Sequence, residues 1–136
     1  MKINFTGTEI GSAIGRILLA SLFILAGLNK IANYSVTLEL MANKGLSPAF
    51  LLLPLAILFE LGGGILVAVG RHGAAIAAIL LTAFTITTNI YFHDFWHADA
   101  SNRTIQLSLF LKNIAISGGL LFFAATQFRR SDTSTP

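Results

Sequence analysis

Residues 49–69 read AFLLLPLAILFELGGGILVAV, and this stretch decides the fold. Its one charged residue is Glu60. A helix needs about 20 mostly apolar residues to cross roughly 30 Å of hydrocarbon. Because lipid offers the backbone no hydrogen-bond partner, such a segment has to bond within itself. The stretch therefore predicts a membrane-spanning helix with an ionisable side chain near its middle.

Three further apolar runs of similar length flank this stretch. They cover residues 10–28, 74–92 and 105–127, and the first and last contain Arg16 and Lys112. No small-x-small cleavage pattern closes the first run, so we interpret it as a retained span. We predict an all-α membrane protein, a four-transmembrane-helix bundle that occupies residues 1–128.

The segments between and after the spans are short. Between the first two spans, Ser35 to Lys44 has the pattern of a short interfacial helix, with Ser35 as a possible cap and Gly45 as the stop. Residues 129–136 form a polar tail.

Composition excludes most other classes of protein. Hydrophobic residues make up 54% of the 136 residues and charged ones 11%, whereas a soluble domain is about 25% charged. The few basic residues are scattered, so nucleic-acid binding is not expected. The chain has no cysteine, which excludes a disulfide or a thiol redox centre of its own. The expected partner is a lipid bilayer.

The orientation follows from the distribution of lysine and arginine. One side of the membrane receives Lys2, Arg71, Arg129 and Arg130, and the other receives Lys30, Lys44 and Arg103 together with three acidic residues. The excess of positive charge on the first side places both termini in the cytoplasm.

Small residues at helical spacing predict where the helices touch. The pairs are Gly11 with Gly15, Gly64 with Ala68, and Ala74 with Ala78. The glycines at 62–64 follow Glu60 directly, and they fit close helix packing better than approach of a ligand.

Charged residues inside the spans are the strongest functional signal. Each costs roughly 2.5 to 3.5 kcal/mol at the centre of a membrane helix, so such residues usually face the bundle interior and pair. Depth along the helices predicts that Glu60 pairs with Lys112 or with Arg16. The sequence does not choose between them.

A polar stripe points to a pocket in the outer half of the bundle. Thr82, Thr85, Asn89 and His93 are spaced by three, four and four residues, so they share one helical face. The predicted lining is Lys30, Glu60, Asn89, His93, Lys112 and Asn113. This cluster is either an ion pair that fixes helix register, a proton path, or a site for a polar head group such as a quinone ring. His93 and His97 are four residues apart, but they lack a third enforced ligand, so no metal site is predicted.

Three fragments carry a resemblance to a known family. They are GRIL with FILAGLNKI at residues 15–18 and 23–31, LPLAILFELGGG at 53–64, and FLKNIAISGG at 110–119. In this order and at these spacings they resemble the helix signatures of the DoxX family. The resemblance makes Arg16, Lys30, Glu60, Lys112 and Asn113 the signature polar positions.

The resemblance implies a four-helix inner-membrane protein of bacteria that is linked to membrane redox work. A related subunit belongs to thiosulfate:quinone oxidoreductase, and other members are placed in oxidative-stress assemblies. Because this chain lacks cysteine, a redox role would need a bound quinone or a redox partner protein.

The leading hypothesis is a membrane subunit of a redox assembly whose polar pocket binds a quinone-type ligand. Arg16 and Lys112 would supply positive charge and Glu60 the counter-charge or a proton site, with hydrogen bonds from Asn89, His93 and Asn113. One alternative is a non-enzymatic assembly or stability factor for another membrane protein, and another is a small solute or proton pathway. The sequence leaves open whether the protein forms a homo-oligomer.

Overall fold

The computed structural model describes residues 7–132, with side chains up to Arg129, and consists of five helices over that range. They are α1 (Gly7–Ala32), α2 (Tyr34–Asn43), α3 (Ala49–Val69), α4 (Ala74–Phe92) and α5 (Arg103–Asp132). All except α2 are long and apolar enough to cross a membrane. The predicted all-α bundle with a short helix between its first two spans is confirmed. Helix α5 continues through residues 129–132 of the predicted tail, and residues 133–136 lie outside the described part.

The outer surface of the bundle is built for lipid. Large apolar side chains such as Leu18, Leu58 and Phe122 are 67%, 66% and 74% exposed. In water each would cost free energy in proportion to its apolar area, whereas hydrocarbon imposes no such cost. The exposed apolar surface therefore fits four helices embedded in a bilayer.

Glycines set the closest helix contacts. A Cβ added at Gly27 of α1 would lie 2.8 Å from Leu61 Cγ, and one added at Gly64 of α3 would lie 2.9 Å from Ile24 Cγ1. These two positions bring α1 against α3. A Cβ at Gly63 would lie 2.9 Å from Leu81 Cγ, which shows a similarly close approach of α3 to α4. Packing is thus what the glycines at 63 and 64 provide.

The prediction for the first small-residue pair was wrong. A Cβ added at Gly11 or Gly15 would meet nothing within 4 Å. The glycine of α1 that contacts a neighbour closely is Gly27, because only its face of the helix turns towards α3. By contrast, Ala74 and Ala78 of α4 are fully buried, as their spacing predicted.

The two ends of the bundle differ in packing. We call them the Gly70 end, where a tight turn joins α3 to α4, and the Asp94 end, where a loop joins α4 to α5. Gly70 and Gly73 have φ of 65° and 83°, a conformation that side chains disfavour. The half of the bundle nearer the Gly70 end is filled by apolar side chains, including those of Val67, Leu120 and Phe123.

The pairing of the helices leaves one seam weak. Helix α1 packs along α3, α3 packs against α4, and α4 packs along α5, whereas α1 and α5 touch only briefly. Their contact lies near Gly119, where an added Cβ would be 3.3 Å from Leu19 Cδ2. The bundle is therefore closed at this level.

Candidate functional site

A buried ion pair joins α1 to α3. Lys30 Nζ lies 2.8 Å from each carboxylate oxygen of Glu60. The Glu60 side chain is 7% exposed and that of Lys30 is 25% exposed. The Glu60 side chain is thus almost fully buried, while the Lys30 side chain is partly exposed near the Asp94 end.

The prediction that Glu60 pairs with Lys112 or Arg16 was wrong. In a helix each Cα–Cβ bond tilts towards the N-terminus. Lys30 therefore reaches down from the last turn of α1, and Glu60 reaches up along α3, which runs in the opposite direction. Gly27, one turn before Lys30, lets the two backbones approach, since its added Cβ would lie 3.4 Å from the Cβ of Glu60. The prediction used only the depth of each residue along its helix and did not include the directions in which the side chains point.

Two asparagines join α4 to α5. Asn113 Nδ2 donates to Asn89 Oδ1 at 2.9 Å, and Asn89 Nδ2 donates to the carbonyl oxygen of Phe110 at 3.1 Å. Asn89 is 1% exposed. Its amide nitrogen and oxygen are both used inside the protein, so the structure gives Asn89 a role in helix joining and leaves it outside the pocket lining.

His93 lies one turn beyond Asn89. Its Nδ1 is 3.0 Å from Gln106 Oε1, which adds a second link between the end of α4 and α5. Unlike Asn89, His93 faces the pocket described below.

Lys112 and Arg16 lie outside the predicted cluster. Lys112 is exposed on α5, because its neighbour Asn113 takes the inward direction. Arg16 lies at the Gly70 end, where a Cβ added at Gly70 would be 2.5 Å from Arg16 Nη1. The guanidinium therefore sits at the C-terminus of α3, whose partial negative charge favours a cation.

A cavity of about 660 Å³ opens around the ion pair in the half of the bundle nearer the Asp94 end. Its size falls in the range of small-molecule sites, roughly 300–1,000 Å³. Lys30, Glu60, His93 and Asn113 contribute to its lining, as predicted, and most of the rest is apolar, including Phe59, Phe84 and Met41. The arrangement suits a ligand with an apolar body and a polar head.

Thr85 is the pocket residue that the prediction of site residues missed. The residue is 6% exposed, and its hydroxyl is buried without a hydrogen-bond partner. The other threonines of α4, at 82, 87 and 88, donate to the carbonyl oxygen four residues earlier. An unpartnered buried hydroxyl costs roughly 1–3 kcal/mol. The spacing of the polar stripe placed Thr85 on the inward face, but only the structure shows that its hydroxyl has no hydrogen-bond partner among the described residues.

A charged contact joins the end of α2 to the loop after α4. Lys44 Nζ, at the end of α2, lies 3.0 Å from Asp94 Oδ1 in the loop after α4. His97 Nδ1 lies 3.5 Å from the other carboxylate oxygen. The hydrogen bond from Lys44 is the main cause that holds the pKa of Asp94 below its ordinary value.

The sequence of the chain is similar to those of known membrane proteins. The DoxX family model matches residues 11–94. The chain belongs to the DoxX family. It is 38% identical over 118 residues to Inner membrane protein YqjF of Escherichia coli (strain K12), a match that covers 87% of this chain and 85% of that protein.

A second relative is Inner membrane protein YphA of the same organism, which is 27% identical over 113 residues, 83% of this chain and 80% of that protein. No solved structure matches the chain significantly. With its four apolar helices, this DoxX-family member is an integral, multi-pass inner-membrane protein.

Proposed function

We propose that this DoxX-family protein binds the ring of a lipid-soluble quinone in the pocket around Lys30 and Glu60, as the membrane subunit of a redox assembly. The observation that carries the proposal is the unpartnered hydroxyl of Thr85, which lines an otherwise mostly apolar cavity together with a buried ion pair. Such a site favours binding of an apolar ligand that carries a hydrogen-bond acceptor.

The chemistry of the lining matches the two parts of a quinone. A ring carbonyl can accept hydrogen bonds from Thr85 and from the ammonium of Lys30, and the aromatic rings of Phe59 and Phe84, whose centroids are 6.0 Å apart, offer flat apolar surface. The tail would leave between exposed apolar side chains into lipid. Glu60 would hold the charge of Lys30 and stand close enough to exchange a proton with the bound ring.

A second candidate function rests on the ion pair alone. Lys30 and Glu60 join α1 to α3 next to the tight Gly27 contact, so they also fit a purely structural role in an assembly or stability factor. Desolvation offsets most of the attraction in a buried pair, which makes a pair without a ligand an inefficient way to hold two helices.

The test is photolabelling of the purified protein by a short-tailed azido-quinone. We expect labelled peptides from the pocket walls on α3 and α4, and competition by an unmodified short-tailed quinone. Filling the cavity with Ala26→Phe should abolish the labelling, whereas Ala83→Phe, on an exposed face of α4, should not change it. Labelling that is unaffected by Ala26→Phe would refute the quinone site and favour the structural role.

A further inference from the structure

Lys112 is an exposed cation within a membrane-spanning helix. Ion pairs of the described residues join Lys30 to Glu60, and others join Lys44 and His97 to Asp94. Lys112 takes part in none of them. Its neighbour Asn113 bonds to Asn89 in the last turn of α4, so Lys112 lies below the Asp94 end of the bundle, beside lipid rather than in the aqueous loop.

The face of α5 that carries Lys112 borders a cleft. Ser108, Lys112, Ala115 and Gly119 are spaced by four, three and four residues, so they lie on one side of the helix. Gly119 is half-buried at its contact with Leu19 of α1, whereas the other three are exposed. Helix α1 therefore separates from α5 beyond Gly119. The small side chains of Ser108 and Ala115 leave the cleft open on both sides of the lysine.

We propose that the cleft between α1 and α5 receives a transmembrane helix of a different membrane protein, whose carboxylate pairs with Lys112. An intramembrane charge favours a partner of opposite sign, and small residues on either side allow a helix to approach closely. This inference rests on the proposed role as a subunit of an assembly, and it names the kind of partner and the surface that holds it.

A second copy of this chain does not fit the cleft. The acidic residues of the sequence are Glu9, Glu39, Glu60, Asp94, Asp99 and Asp132. Of these, only Glu60 lies deep inside a predicted span, and it is 5% exposed and already bonded to Lys30. A second copy would therefore bring no available carboxylate to the level of Lys112. The partner has to be another protein with an acidic residue in its own span.

The experiment is photocrosslinking in intact cells. A benzoylphenylalanine is placed at Ser108 or Ala115 in the full chain, with Ile114 and Leu121 on the opposite, exposed side of α5 as matched controls. We expect adducts from the first two positions to one membrane protein, whose crosslinked segment spans the membrane and contains Asp or Glu. Lys112→Leu should lower the yield about tenfold, the size of one polar contact in a membrane, and Lys112→Arg should retain it.

A charge exchange completes the test. Lys112→Glu should abolish the adduct, and changing the partner's carboxylate to lysine should restore it. Adducts to lipid alone, to second copies of the chain or to a segment without a carboxylate would overturn the proposal, as would an unchanged yield for Lys112→Leu. Because Lys112, Ser108 and Ala115 do not line the quinone pocket, a failure here is separable from failure of the proposed function.

Discussion

Removing only the cation of the Lys30–Glu60 pair should cost more than removing both partners, and the two single substitutions should not be equivalent. Lys30→Met leaves the carboxylate of Glu60, whose side chain is 7% exposed, without its cation, and we expect a loss of about 3 kcal/mol in the free energy of unfolding. Glu60→Gln leaves Lys30, which is 25% exposed at the end of α1 and can turn towards water. That loss should be about 1 kcal/mol.

The double variant should be less damaged than the two single losses together. With both charges removed, no buried ion remains, so we expect a loss of about 2 kcal/mol and a coupling of about the same size between the two positions. Equilibrium unfolding in mixed micelles, followed by circular dichroism, measures all three variants. Lys44→Met breaks a pair at the surface and serves as the control, and its loss should be clearly smaller than that of Lys30→Met because water screens exposed pairs. Equal losses for the two single variants, or strict additivity, would refute the argument.

Three further predictions concern packing, the ligand and the contact between Lys44 and Asp94. Gly27→Ala should lower the free energy of unfolding by about 1–3 kcal/mol, because its Cβ would meet Leu61 at 2.8 Å, whereas Gly11→Ala, in open space, should not; the same unfolding assay checks both. Thr85→Val should raise the free energy of unfolding of the ligand-free protein, because it removes a hydroxyl that is buried without a partner, while it weakens quinone binding in a titration; lowered stability with intact binding would contradict this. The pKa of Asp94 is lowered by its hydrogen bond from Lys44, so the contact between α2 and the loop after α4 is stabilising above the ordinary pKa and is lost as pH falls through the lowered one; an NMR titration should give a higher pKa for Asp94 in Lys44→Met, and an unchanged value would contradict the assignment.

Periodicity and length were enough to predict the helices. Each span is a run long enough to cross a bilayer, and the short α2 follows from its apolar face and the terminating Gly45. The predicted cap Ser35 was wrong, because α2 begins at Tyr34 and Ser35 lies inside it. The inward polar face of α4 followed from a spacing of three and four residues, and Thr82, Thr85 and Asn89 are indeed buried there. These features depend on local sequence, which is why they could be predicted.

Pairing across helices could not be derived in the same way. Lys30 lay at the predicted outer edge of its span, and nothing in the sequence showed that α1 extends to Ala32 and directs this side chain down to Glu60. Lys112 was expected inside, but the helix can turn only one of two adjacent residues inward, and Asn113 takes that direction. Whether each polar side chain faces inward thus depends on the rotation of its helix, which is set by contacts between residues far apart in sequence, such as Gly27 with Leu61.

The missing hydrogen-bond partner of the Thr85 hydroxyl could not be predicted from the sequence either. Thr82 and Thr85 share the same inward face of α4, yet Thr82 donates to the carbonyl oxygen of Ala78 and Thr85 donates to no described group. Whether a threonine bonds back to its own helix is a choice of side-chain rotamer. The cavity around Lys30 and Glu60 is what gives that choice a possible function.

Native mass spectrometry of the protein released from mild detergent tests the central claim most directly. With a short-tailed quinone added, wild-type protein should retain one quinone molecule per chain, and Thr85→Val and Ala26→Phe should lose it while Ala83→Phe keeps it. Equal retention by all four proteins, or no retention by wild type, would show that the cavity beside Glu60 is not a quinone site.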